Sequence, residues 1–323
     1  MRGAAGIAAL GAMALAACTP DPATEPAQPI DVRTDWAQVP VDAAWGEVSA
    51  VDVDSHGHVF VLQRAGRTWS EPFPTQPIAR PVVFMFDADG GLLAQWGEGE
   101  TVMPHGLSID EADKVWITDV QREQLLRFSH DGALEDAWGS RGAAGNGPRS
   151  FGRPSDTAHD RGTVYVADGY SNSRVAVFDA EGRFDRQWGV PGKGKNGLNL
   201  PHGVAFVDGW VYIADRENRR IKVHRGDGAL IAIWDVPGHP YAVKAIRDGR
   251  IATLEGRDAG GASIAVLRLW SAGGVQQAAF DLGARLGSVK GHDLAIGPDG
   301  TVYIADVEGR RLLTARLPRS NGS

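Results

Sequence analysis

The sequence predicts an all-β protein, a six-bladed β-propeller with four antiparallel strands per blade. Three observations carry that reading. A strand signature recurs six times, as Val59-Phe-Val-Leu-Gln63, Val115-Trp-Ile-Thr-Asp119, Val164-Tyr-Val-Ala-Asp168, Val211-Tyr-Ile-Ala-Asp215, Arg250-Ile-Ala-Thr-Leu-Glu255 and Val302-Tyr-Ile-Ala-Asp306. The steps between the last residues of these copies are 56, 49, 47, 40 and 51, a period that suits one blade per copy. Each copy is followed by a second β run, such as Arg174-Val-Ala-Val-Phe178, and an Asp/Gly turn, such as Asp179-Ala-Glu-Gly182. A third run then ends in Trp-Gly or a close variant: Trp96-Gly97, Trp138-Gly139, Trp188-Gly189 and Trp234-Asp235.

Alternating β-branched and aromatic residues between such turns argue for strands, and no helical period competes over a useful length. With 42 glycines and 18 prolines in 323 residues, the composition supplies the many tight turns this architecture needs. The propeller is predicted over residues 45–318, with a polar tail over 319–323. The Trp-Gly pairs read as packing between blades. Ring closure is expected to recruit a strand near Trp36–Val39 into the last blade.

The N-terminal stretch has a different character. Arg2 precedes a short apolar run, and Leu15-Ala16-Ala17-Cys18 resembles a bacterial lipobox. Residues 1–18 are therefore expected to be a lipoprotein signal peptide, with Cys18 as the lipidated residue. The polar, Pro-rich stretch 19–44 reads as a flexible tether. This places the protein in a bacterial cell envelope, held at a membrane by lipid. Cys18 is the sole cysteine, so thiol catalysis and cysteine-ligated zinc are excluded from the body. A net charge of −7 provides no basic field for nucleic acid. The protein is expected to be a monomer.

The repeat frame organises the histidines. One position near the start of each innermost strand holds, in blade order, Ser49, His105, Ser155, His202, Tyr241 and His292. Innermost strands line the central channel, so histidines in alternate blades converge on the axis. Three neutral imidazoles there make a zinc site with an open position for water or substrate. His56, His58, His130, His159, His224 and His239 fall elsewhere in the repeat and are read as ordinary side chains. The position after the signature holds Arg64 in blade one and Arg216 in blade four, nearly opposite each other at one channel mouth. Their planar forks suit a carboxylate. Structural ion pairs, with Glu217 for instance, explain them equally well. Tyr170 follows Gly169 at the same mouth in blade three.

The repeat is similar to the NHL family of propellers, which includes both enzymes and inert platforms. More closely, the chain resembles the peptidyl-α-hydroxyglycine α-amidating lyases, from about Val48 to Leu317. The most specific stretches are Pro104-His-Gly-Leu-Ser-Ile-Asp110, Asp168-Gly-Tyr-Ser-Asn-Ser-Arg174, Ala214-Asp-Arg-Glu-Asn218 and His292-Asp293. The resemblance implies zinc on His105, His202 and His292. It also implies a structural calcium on the carbonyls of Val51 and Leu107 and the carboxylate of Asp293. Arg64, Tyr170 and Arg216 match the family's active-site residues.

The implied reaction cleaves the C–N bond of a peptidyl- or N-acyl-α-hydroxyglycine, a carbinolamide, to an amide and glyoxylate. In this scheme Tyr170 is a phenolate-like base, Arg64 favours its ionised form and Arg216 engages the substrate carboxylate. Two positions depart from the family pattern. Lys290 stands two residues before His292 where the family has Met, and Ser171 replaces a disulfide cysteine. Competing readings are a non-catalytic envelope scaffold, which leaves the alternating histidines unexplained, and a propeller lactonase or streptogramin-type lyase.

Overall fold

The computed structural model describes residues 27–40 and 45–317. The lipobox with Cys18, the signal segment and the tail after 318 lie outside the described residues. Four strands in sequence order build each of blades one to five, every strand antiparallel to the next. Their innermost strands are Val48–Val53, Pro104–Ile109, Asp156–Asp160, Pro201–Val207 and His239–Ala245, with Gly291–Ile296 in blade six. Each signature is a second strand, buried along nearly its whole length, as in Val59–Gln63 and Thr301–Asp306. Outer strands such as Leu92–Trp96 alternate between exposed and more buried positions, the pattern of a sheet edge with one solvated face. Among the described residues no helix is long and apolar enough to cross a membrane.

The core lies between blades. Ala50, Phe60, Leu62 and Val83 of blade one pack on Leu107, Val115, Ile117 and Leu126 of blade two. The Trp of the outer strand in blades one to four covers the outer turn of the following blade. A Cβ on Gly132 would stand 2.4 Å from the Trp96 ring, and one on Gly274 would stand 2.2 Å from Trp234 Nε1. Both glycines have positive φ. Glycine there serves the turn and the indole together.

The signature aspartate is a hub. Asp119 accepts from the backbone N–H of Val102, Met103, Gln121 and Arg122. Asp215 holds the amide of Asn199 and Asp306 that of Lys290. Each fixes the loop that delivers a channel histidine two or three residues later. Gln63 braces the corresponding loop of blade one, ahead of Ser49, accepting from Gly46 and Ala65.

Two expectations about the N-terminal stretch are corrected. Within 19–44, residues 27–40 form a strap against the propeller in place of a free tether. Gln28–Pro29 pairs with the outer strand of blade five. Ring closure is made by Val32 and Arg33, opposite Ala315 and Thr314 of blade six, with Trp36–Val39 lying beyond that pairing. Trp36 packs on Tyr303 of blade six and Phe86 of blade one. Its carbonyl oxygen would stand 1.9 Å from a Cβ on Gly90, and Gln38 donates its amide to Gly90 O. Trp36 thus gives blade one the indole cover that outer strands give blades two to five. The apolar contacts of Ile30, Val32 and Trp36 outweigh the polar composition that suggests a tether.

Candidate metal centre and active site

His105, His202 and His292 meet at the channel axis with ring centroids 4.7–4.8 Å apart in every pairing. All three are buried. Each ring is held by the next blade: His105 Nδ1 lies 2.8 Å from Ser155 O, His202 Nδ1 2.7 Å from Tyr241 O and His292 Nδ1 2.6 Å from Ser49 O. A carbonyl only accepts, so each Nδ1 carries the proton and each Nε2 presents a lone pair. Alternation therefore has a second meaning. Blades two, four and six supply imidazoles, while blades three, five and one supply the carbonyls that orient them.

The glycine of the Pro-His-Gly motif belongs to this device. A Cβ on Gly106 would stand 2.4 Å from Ser155 O, and one on Gly203 2.8 Å from Tyr241 O. The anchoring carbonyls need that space.

Burial and the charge of Arg64 or Arg216 or of the neighbouring rings keep the three imidazoles well below the usual histidine pKa, hence neutral. His202 Nε2 is buried with no hydrogen-bond partner, a cost of about 1–3 kcal/mol. Neutral, oriented nitrogens that converge with one left orphaned fit a zinc ion.

The mouth above the triad opens into a cavity of about 500 Å³ lined by Arg64, Trp69, Tyr170, Arg216, Tyr241 and Lys290, among others. The Tyr170 hydroxyl lies 3.0 Å from His105 Nε2 and accepts a hydrogen bond from Arg216 Nη1 at 3.2 Å. Arg216 also donates from Nε to Glu217 at 2.8 Å and stacks over Tyr241. Arg64 is 2 % exposed, donates to Pro104 O and Glu47, and leaves Nη2 buried without a partner. These contacts distinguish the two arginines. Arg216 is the one bonded to the phenol, and Arg64 keeps the free donor. Burial raises the Tyr170 pKa, outweighing Arg216 and the more remote Arg64.

Trp69, Glu47 and Arg257 complete the mouth and went unnoticed in the sequence. Trp69 lies 4.8 Å from the Tyr170 ring and 5.7 Å from His105, with the Arg64 guanidinium over its face. The longest repeat step, 56 residues, marks the insertion that carries it. Lys290 lines the cavity 3.7 Å from Glu308, so this departure from the family adds a paired cation to the mouth. Ser171 needs no disulfide partner for its loop to be braced. Its amide donates to Gly152 O, while Asp168 holds Asn172 and Arg174.

Beneath the triad the channel changes sign. Asp293 Oδ2 accepts from the Val51 amide and Oδ1 from that of Leu294, while Leu107 occupies the equivalent position in blade two. Asp156 accepts from Val204 and Asp52 from Ile109. Lys244 Nζ is 3.9 Å from Asp52 and feels all three carboxylates, whose charges outweigh burial and raise its pKa. Burial raises Asp293 and Asp156, with Lys244 opposing the shift in both. Three acids facing one ammonium are short of positive charge, which fits an oxygen-seeking cation of the calcium kind.

Residues 198–223 match the NHL repeat family. The chain is 29% identical over 309 residues to peptidyl-glycine alpha-amidating monooxygenase B of Xenopus laevis; the match takes in 86% of this chain but only 34% of that protein, about a third of its length. It is 26% identical over 300 residues to a probable peptidyl-alpha-hydroxyglycine alpha-amidating lyase of Caenorhabditis elegans, covering 84% of this chain and 83% of the relative. Among solved structures, virginiamycin B lyase of Staphylococcus aureus superposes with a TM-score of 0.62 at 12% identity, over 90% of this chain and all of the other, a likeness of fold alone. The chain is thus a six-bladed propeller that matches the NHL repeat over residues 198–223 and is similar in sequence to the peptidyl-α-hydroxyglycine α-amidating lyases.

Proposed function

We propose that the protein is a zinc-dependent lyase that cleaves the C–N bond of a peptidyl- or N-acyl-α-hydroxyglycine to an amide and glyoxylate. The observation that carries this is the set of three channel imidazoles, each locked through Nδ1 to the following blade so that its unprotonated Nε2 can serve as a metal donor. His105, His202 and His292 would hold the zinc. Bound there, zinc supplies Lewis-acid polarisation of a substrate oxygen and a positive charge that favours ionisation of Tyr170.

The protein's own groups divide the remaining work. Arg64 Nη2, an unpaired buried donor, would take the substrate carboxylate, which stays on the glyoxylate product. Arg216 holds the Tyr170 oxygen and stabilises its negative charge. As phenolate, Tyr170 would accept the carbinol proton. The C–O bond becomes a carbonyl as the C–N bond breaks, and the proton ends on the departing amide nitrogen. Atoms balance without water. Trp69 and Tyr241 wall the mouth and limit solvent. Calcium, on the Val51 and Leu107 carbonyls and Asp293, would relieve the carboxylates below.

Lipidation at Cys18 and an envelope location complete the proposal, with a monomer acting on a small-molecule or peptide substrate that ends in α-hydroxyglycine. The reaction is tested by following glyoxylate release from an N-acyl-α-hydroxyglycine, with and without chelator. Release that needs the added metal supports the reading. Protein carrying zinc but inert on a panel of such substrates sinks it.

A further inference from the structure

A second histidine cluster lies on the opposite face of the disc. The first-to-second strand turn of blade one carries Asp54, His56 and His58, and the outer turn of blade two carries His130. In an antiparallel blade both turns sit at the end away from Arg64 and Tyr170. The Asp54 side chain is fully buried. Its Oδ1 accepts from the backbone N–H of His56 and His58. Its Oδ2 faces three imidazoles, with His58 Nδ1 and His130 Nε2 each at 2.8 Å and His56 Nδ1 at 3.8 Å. One ligand atom from each of the four residues lies within 4.8 Å of every other. Burial works against the Asp54 charge, but the hydrogen bonds from His130 and His58 prevail and keep its pKa low.

We propose that Asp54, His56, His58 and His130 form a second metal site, for a divalent first-row transition ion of the zinc class, separate from the channel. Three imidazole nitrogens and one carboxylate oxygen favour zinc, cobalt, nickel or copper over calcium and magnesium. The ion takes the place of the protons these rings now share with Asp54, at ligand distances of about 2.0–2.2 Å. Neutral rings and one carboxylate leave a single negative charge for it to offset. His56, 64% exposed, provides the entry side, and Asp113 stands behind it, 3.4 Å from His56 Nδ1 and anchored by Ser55. The ligands come from two blades, so the ion staples the seam between them and stabilises the folded chain by mass action.

The test uses the untagged chain, stripped by chelation and titrated with Co²⁺ and Zn²⁺. Two equivalents are expected in the parent protein. His202→Ala should lose one and keep the other. His56→Ala combined with His130→Ala should lose the second while leaving channel zinc in place. Zinc should raise the melting temperature of the His202→Ala protein and lose that effect when His56 is also replaced. Should the double variant misfold, His56→Ala alone, at an exposed position, should weaken cobalt binding roughly tenfold or more. A single equivalent abolished by His202→Ala, or a second equivalent indifferent to His56, would overturn the proposal.

Discussion

The upper and lower halves of the channel are built from the same strands yet behave as opposites. Above lie neutral imidazoles and arginines; below, three carboxylates surround one lysine. His292 and Asp293 are adjacent in sequence and divide between the two. The difference teaches that depth along a propeller strand sets the chemistry, because burial disfavours charge in both halves but acts on groups of opposite type. It lowers the pKa of the histidines and raises that of Asp293 and Asp156.

Four experiments press on this contrast. The largest effect is expected from His202→Ala, which removes the orphaned Nε2: channel zinc and glyoxylate release should both fall to background, measured by metal analysis and product assay. Tyr170→Phe should keep the metal and lower kcat about 10²–10⁴-fold. With burial raising the phenol's pKa, the parent rate should climb with pH as it ionises, and the variant's pH profile should lose that limb. Arg64→Met should act mainly on KM, by roughly 10–100-fold, the worth of about 1.5–3 kcal/mol for a hydrogen bond to a charged group. An equal loss in Arg216→Met with Arg64→Met silent would return the carboxylate to Arg216.

The smallest effect concerns pH and calcium. Histidines with depressed folded pKa values leave the unfolded chain binding more protons below about pH 6.5, so the upper half loses stability as pH falls through that range. Carboxylates with raised values do the reverse, adding stability in acid and losing it as pH rises. Calcium should therefore raise the melting temperature by a few degrees more at pH 8 than at pH 5, and Asp293→Asn should abolish that response. An equal response at both pH values would separate Asp293 from the ion.

The six signatures and the alternating histidines were legible in the sequence because a repeat aligns them without any knowledge of contacts. The partners of Nδ1 were not, since Ser49, Ser155 and Tyr241 contribute backbone oxygens that no side-chain pattern announces. Trp69 was hidden in an insertion with no counterpart in other blades. The different contacts of Arg64 and Arg216 depend on Glu47 and Glu217, whose reach only the fold fixes. His56, His58 and His130 escaped because two turns, distant in sequence and at different positions of the repeat, bring them together. The spacing His56-x-His58 was their one local sign.

The strap has a consequence for how the chain matures. Val32 and Arg33 must find Ala315 and Thr314, so a segment made early waits for one made much later. Until then the toroid is an open crescent, with Trp36 unhoused and the first and sixth wedges unsealed. His292 borrows its anchor from Ser49 across that same gap. Completion of the circle and completion of the histidine anchors are therefore one event, and a partly synthesised chain cannot orient His292 as the finished one does.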